Sequence, residues 1–108
     1  MRHITHALLT LSALLALSAC GPSDHANSIA GMSGDATSGQ TLYSANCASC
    51  HGATGGGGSG PNLVRAFNSE DKAELIDVIL EGDGPMMGYS GVLSDQEIAD
   101  IVAYLDGL

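Results

Sequence analysis

Tryptophan is absent from this chain of 108 residues, phenylalanine occurs once and tyrosine three times. Aromatic side chains carry much of the buried area of a small core. A short domain without them needs another source of stability, such as a metal, a cross-link or a bound group. Cations are nearly as scarce, with three lysines and arginines against twelve acidic residues. A surface that acidic excludes nucleic acid and anionic lipid as charge-driven partners. It suits a protein partner with a basic docking patch, and it also serves solubility. Cysteine is limited to three residues, so no multi-disulfide framework holds the fold. No apolar run reaches the roughly 20 residues that cross a bilayer. No segment alternates convincingly as a strand. No acid–base pair, nucleophile or substrate pocket is visible, so neither an enzyme nor a small-molecule substrate is expected.

What is present is concentrated in Cys47-Ala48-Ser49-Cys50-His51. Two thiols at i and i+3 followed at once by histidine read as an attachment site for c-type haem. Residues three and four apart share a helix face, so all three side chains can meet one ligand. The sulfurs of Cys47 and Cys50 would take the two vinyl groups as thioethers, and the His51 imidazole would reach the iron. One covalent haem c, with its iron, is the expected cofactor. It would also be the apolar plate that a thin core requires, leaving the haem-free chain largely unfolded. A redox dithiol would want a βαβ setting, and a zinc site two further ligands at metal spacing. Neither is in the sequence.

The chain opens with Met1-Arg2-His3, continues through an apolar stretch from Ala7 to Leu17, and reaches Leu17-Ser18-Ala19-Cys20-Gly21. A basic start, a short apolar stretch and small residues mark a secretory signal. The four residues Leu17 to Cys20 resemble the bacterial lipobox, which implies signal cleavage before Cys20 and lipidation of its thiol. The alternative is an ordinary signal cut nearby, leaving Cys20 as a stray thiol. Residues 1–19 are thus expected to be a lipoprotein signal peptide. Several acyl chains, at about 0.8 kcal/mol per buried CH₂, make a lasting anchor. The expected location is extracytoplasmic, lipid-anchored to a bacterial membrane, on the periplasmic side in a host with two membranes. Gly21 resembles the sorting position of such precursors and leans weakly toward the outer membrane. From Cys20 onward only Arg65 and Lys72 oppose the twelve carboxylates, a net charge of −10.

Residues 20–34 read as the lipidated cysteine and a flexible tether, poor in apolar periodicity. About 15 such residues reach roughly 20 Å on average and about 50 Å at full stretch. His25 and Met32 fall in it and are expected to be solvated linker residues. Three helices should follow within residues 35–108. The first runs from about 36 to 48, with Asp35 or Thr37 as cap and Thr37-x-x-Gln40 fitting a capping box. Gly39, a poor helix former, marks a place where another helix crosses closely. The second runs from about 70 to 81, capped by Ser69, ended by Gly82 and buried through Leu75, Ile76, Ile79 and Leu80. The third, 95–106, opens with the capping box Ser94-x-x-Glu97 and buries Ile98, Ile101, Val102 and Leu105 before stopping at Gly107. The glycine-rich stretch 52–63 has neither a preceding strand nor a GK[ST] ending, so it is not a phosphate loop. A loop folded tightly against a flat macrocycle needs little side-chain bulk. The expected fold is all-α.

Iron bound by His51 keeps one axial position, and the candidates lie in Gly82-Asp83-Gly84-Pro85-Met86-Met87-Gly88-Tyr89. A thioether ligand favours ferrous iron and raises the potential. The order of attachment motif, Gly60-Pro61-Asn62-Leu63, Ile79-Leu80-Glu81-Gly82-Asp83-Gly84, methionine, Leu93-Ser94-Asp95-Gln96-Glu97-Ile98 and Val102-Ala103-Tyr104-Leu105 resembles the small monohaem class I cytochromes c of bacteria. That resemblance covers about 35–108 and implies the cytochrome c fold, three main helices around a covalent haem. It implies Met86 as sixth ligand, with Met87 where a proline is usual and Tyr89 in the aromatic position beside the haem; Met87 is the second choice. It further implies that the Pro61 carbonyl orients His51, and that Gly39 and Tyr43 cross the last helix near Tyr104.

The resulting expectation is a membrane-tethered, single-haem electron carrier working between extracytoplasmic redox partners. Two other readings stay open. An open iron site, with both methionines as core filler, would make a small-ligand sensor or peroxidase. A fixed place in an oxidoreductase complex would make the chain a subunit rather than a shuttle.

Overall fold

The computed structural model describes residues 21–108; the expected signal peptide and Cys20 lie outside the described residues. Six helical segments follow in order: α1 (Asp24–Ala30), α2 (Ala36–Asn46), α3 (Ala48–His51), α4 (Ala66–Ser69), α5 (Lys72–Glu81) and α6 (Asp95–Asp106). Among the described residues extended pairing is limited to isolated bridges within the loops around 83–93. The fold is all-α.

Helix α6 forms where local signals agree. Ser94 accepts from the Glu97 N–H while the Glu97 side chain accepts from the Ser94 N–H, which satisfies two end donors reciprocally. Its apolar stripe then buries Ile98, Ile101, Val102 and Leu105. Helix α2 crosses it at Gly39. A β-carbon built on Gly39 would overlap the Asp100 carbonyl and stand 3.0 Å from the Ile101 nitrogen, so only glycine permits this approach. Tyr43, one turn on, is fully buried and stacks at a tilt on Tyr104 with ring centres 5.2 Å apart. Tyr43, Ile101 and Leu105 form one core cluster.

Asp100 lies in the middle of α6's buried face, 9% exposed. Its carboxylate accepts from the Asp35 N–H at 2.8 Å and from the Gln96 amide at 2.9 Å. That pairing offsets the cost of burial and fixes the start of α2 against α6.

The second cluster corrects the tether expectation. Residues 24–30 form a helix in which Ala26 and Ile29 are buried among Ala73, Ile76, Leu80, Ile98, Ala99 and Val102. Two apolar residues three apart give too short a pattern to read as a helix, and seven residues do not hold one alone. Tertiary burial does: an isoleucine gives about 1.5–3 kcal/mol. Ser23 caps α1 through the Ala26 N–H. Its own N–H (2.7 Å) and hydroxyl both donate to Asp77 on α5. These bonds hold the exposed Asp77 carboxyl below the usual carboxylate range, with His25 adding a smaller pull. His25, expected to be solvated, pairs with Asp95 at 2.7 Å.

Two helix starts also differ from expectation. Asp35, and not Thr37, caps α2 by accepting from the Ser38 N–H, and the chain turns at Cys47 so that α2 ends at Asn46. Helix α5 begins at Lys72 because Asp71 accepts from both the Ala73 and Glu74 N–H groups; residues 66–69 close a separate turn, α4. On α5, Ile76 and Leu80 are buried, whereas Leu75 and Ile79 stay half-buried.

Candidate functional site

The Cys47–His51 stretch follows α2 directly, with Cys47 as the turn residue between α2 and α3. Cys47 departs from helical geometry, yet its N–H still donates to the Tyr43 carbonyl at 2.8 Å. The turn then closes through His51 N–H to Cys47 carbonyl at 3.0 Å and Gly52 N–H to Ala48 carbonyl at 2.9 Å. Cys47 is half-buried, Cys50 exposed and His51 buried. Burial first, and the neighbouring Cys50 second, push the Cys47 thiol up to about 11.

The glycine-rich loop folds back onto this turn. Gly57 N–H donates to the His51 carbonyl at 2.7 Å, and Gly60 N–H to the Cys50 carbonyl at 2.8 Å. A β-carbon on Gly60 would come within 2.9 Å of two His51 ring atoms, so the glycine lets the backbone lie beside the imidazole. The Pro61 carbonyl then sits 2.9 Å from His51 Nδ1. A carbonyl only accepts, so Nδ1 carries the proton and Nε2 keeps a free lone pair. An imidazole held this way is suited to a metal.

Tyr43 and Tyr89 brace the turn from its two ends. The Tyr43 hydroxyl donates to the Gly52 carbonyl at 2.6 Å, and the Tyr89 hydroxyl to the Asn46 carbonyl at 2.8 Å. Burial first, and Cys47 second, raise both phenols. The 82–90 loop is pinned to the end of α5: Tyr89 N–H donates to Ile79 carbonyl at 2.9 Å and Ser90 N–H to Leu80 carbonyl at 3.1 Å. Gly82 turns the chain there at φ +79°, a conformation that glycine supplies without strain. Within the loop, Asp83 and Met86 exchange two backbone bonds of 3.0 Å. Met86 is half-buried, and Met87 is 56% exposed.

The donor set fits haem c. Two thiols and a tautomer-fixed imidazole share one short turn, and Leu42, Leu63, Phe67 and Leu93 remain half-buried around the Tyr43 cluster. Cys47, Cys50, His51, Pro61 and Tyr89 are brought together in one region. Sequence reasoning missed the Tyr43–Gly52 and Tyr89–Asn46 bonds, for which no local pattern exists.

Comparisons with known proteins agree with this geometry. The family profile described as "Cytochrome C oxidase, cbb3-type, subunit III" matches residues 34–105. Cytochrome c-551 of Bacillus subtilis is 36% identical over 99 residues, covering 88% of this chain and 85% of that one. Cytochrome c6 of the diatom Phaeodactylum tricornutum superposes with a TM-score of 0.58 at 32% identity, covering 68% of this chain and 93% of its own. Cytochrome CL of Methylophaga aminisulfidivorans gives the same TM-score of 0.58 at 28% identity; the match covers 66% of this chain but only about half, 52%, of that one.

Proposed function

The chain belongs to the small monohaem c-type cytochromes, and on that premise we propose that it is a membrane-tethered carrier passing single electrons between extracytoplasmic redox proteins. It is an electron carrier rather than an enzyme, and its cofactor is one covalent haem c. When bound, that group supplies an iron cycling between the ferrous and ferric states. The residues do the rest. Cys47 and Cys50 would hold the macrocycle through their sulfurs, and His51 would bind its iron. Met86 would be the second iron ligand, a choice that its partial burial supports over the exposed Met87. The observation that carries this reading is the 2.9 Å approach of the Pro61 carbonyl to His51 Nδ1. It leaves Nε2 with a lone pair, beside two cysteines on the same turn.

Lipidation of Cys20 is the anchor in this proposal; among the described residues no helix is long and apolar enough to cross a membrane. With α1 docked, only Gly21 and Pro22 separate Cys20 from Ser23. Three such residues reach about 10 Å, so the domain sits at the bilayer surface instead of ranging widely. Its partners are then themselves at the membrane, with basic patches facing this acidic surface.

The reading is tested by following the holoprotein's one-electron exchange with a basic partner as ionic strength rises. Transfer slows steeply up to about 0.15 M salt if charge steers docking; a flat response rejects the basic partner. A ferric spectrum lacking the weak sulfur-to-iron band near its red end, with ready binding of carbon monoxide by the ferrous form, would instead identify an open-site sensor.

A further inference from the structure

Asn46 ends α2, and its carbonyl is one of the four that a helix leaves without an intrahelical partner. The partner comes from far along the chain, in the Tyr89 hydroxyl at 2.8 Å. Tyr89 is 9% exposed. Its N–H is engaged by the Ile79 carbonyl, and its own carbonyl accepts from Val92 and Leu93. A ring so enclosed, with its backbone held on both sides, moves only with its loop. Met86 lies three residues before it, and Cys47 directly follows Asn46. One hydroxyl therefore joins the segment bearing the sixth ligand to the segment bearing the two cysteines and His51. The exposed Met87 adds no comparable hold. Tyr43 makes a similar bond to Gly52 at 2.6 Å, but that brace stays within the α2–α3 region and touches no part of the methionine loop.

We infer that Tyr89 is a positioning residue for Met86: its hydroxyl, by gripping Asn46, holds the Met86 loop against the segment that bears Cys47, Cys50 and His51. The inference rests on the reading of Met86 as sixth ligand. That hold competes with any ligand that needs the same coordination position. Weakening it by one hydrogen bond raises the apparent affinity for such a ligand by the same factor.

The experiment uses the ferric holoprotein, with imidazole as probe and the sulfur-to-iron band as readout. Tyr89→Phe keeps the buried ring and removes only the hydroxyl. It is expected to bind imidazole roughly threefold to tenfold more tightly, the equilibrium worth of one neutral hydrogen bond. Tyr43→Phe loses an equivalent bond and is expected to bind imidazole as the parent does. Met86→Ala, made alongside, must abolish the band. If it does and Tyr89→Phe binds imidazole like the parent, the positioning role is overturned and the ligand assignment stands. Equal gains in Tyr89→Phe and Tyr43→Phe indicate general loosening and also overturn it. A band that survives in Met86→Ala removes the ligand assignment and the inference with it.

Discussion

Replacing Gly39 by alanine sets two effects of opposite sign against each other. Inside a helix, glycine is about 1 kcal/mol worse than alanine, so α2 taken alone predicts a gain of that size. The helix crossing predicts a loss. The added methyl would overlap the Asp100 carbonyl and lie 3.0 Å from the Ile101 nitrogen. These are backbone atoms of a buried helix and cannot rotate aside. Overpacking of this kind costs roughly 1–3 kcal/mol, and rigid neighbours place this site at the upper end. Parting α2 from α6 also disturbs the Tyr43–Tyr104 contact and the Asp35–Asp100 bond. The net expectation is a destabilisation of about 2 kcal/mol, equivalent to a melting temperature lowered by roughly 8–16 °C in a domain of this size. Thermal unfolding of the holoprotein, followed by circular dichroism, measures it. Gly56→Ala is the control, because nothing lies within 4 Å of a β-carbon there, and it should stay within about 0.5 kcal/mol of the parent. A Gly39→Ala protein as stable as the parent, or more so, would refute the crossing argument.

Three further outcomes are expected. Met86→Ala should lower the reduction potential and open the ferrous protein to carbon monoxide, whereas Met87→Ala should do neither; redox titration with optical spectra separates them. The Asp77 carboxyl is held below its usual range by Ser23, so its contribution to docking α1 is complete above the ordinary carboxylate range. That contribution is lost as pH falls through the depressed value. Hydrogen exchange should then show α1 loosening selectively in acid, and Asp77→Asn should remove that pH dependence while loosening α1 at neutral pH. A chain with Cys47→Ala and Cys50→Ala, unable to keep haem, should lose most of its helical circular dichroism, since four aromatic residues make a thin core.

Legibility in the sequence followed locality. Helix α6 could be read in full because Ser94, Glu97 and the Ile98–Leu105 stripe all lie within one short stretch and agree. The Cys47–His51 motif was legible for the same reason. The α5 start was misplaced because Ser69 and Asp71 are both good caps, and only the fold decides that Asp71 meets two backbone donors. Helix α1 was read as tether because it offers just Ala26 and Ile29 to the core. Its stability comes from α5 and α6, through contacts such as Ser23 with Asp77 and His25 with Asp95. Asp100 and Tyr89 carry the same lesson. A buried carboxylate and a buried phenol each depend on a partner distant in sequence, and no periodicity announces such pairs.

The most direct measurement is mass spectrometry of the mature protein and of the proteolytic peptide containing residues 47–51. The account predicts that peptide to carry the full mass of one haem, joined at both Cys47 and Cys50. A colourless protein whose peptide weighs only its amino acids, with both thiols free to alkylate, would contradict it.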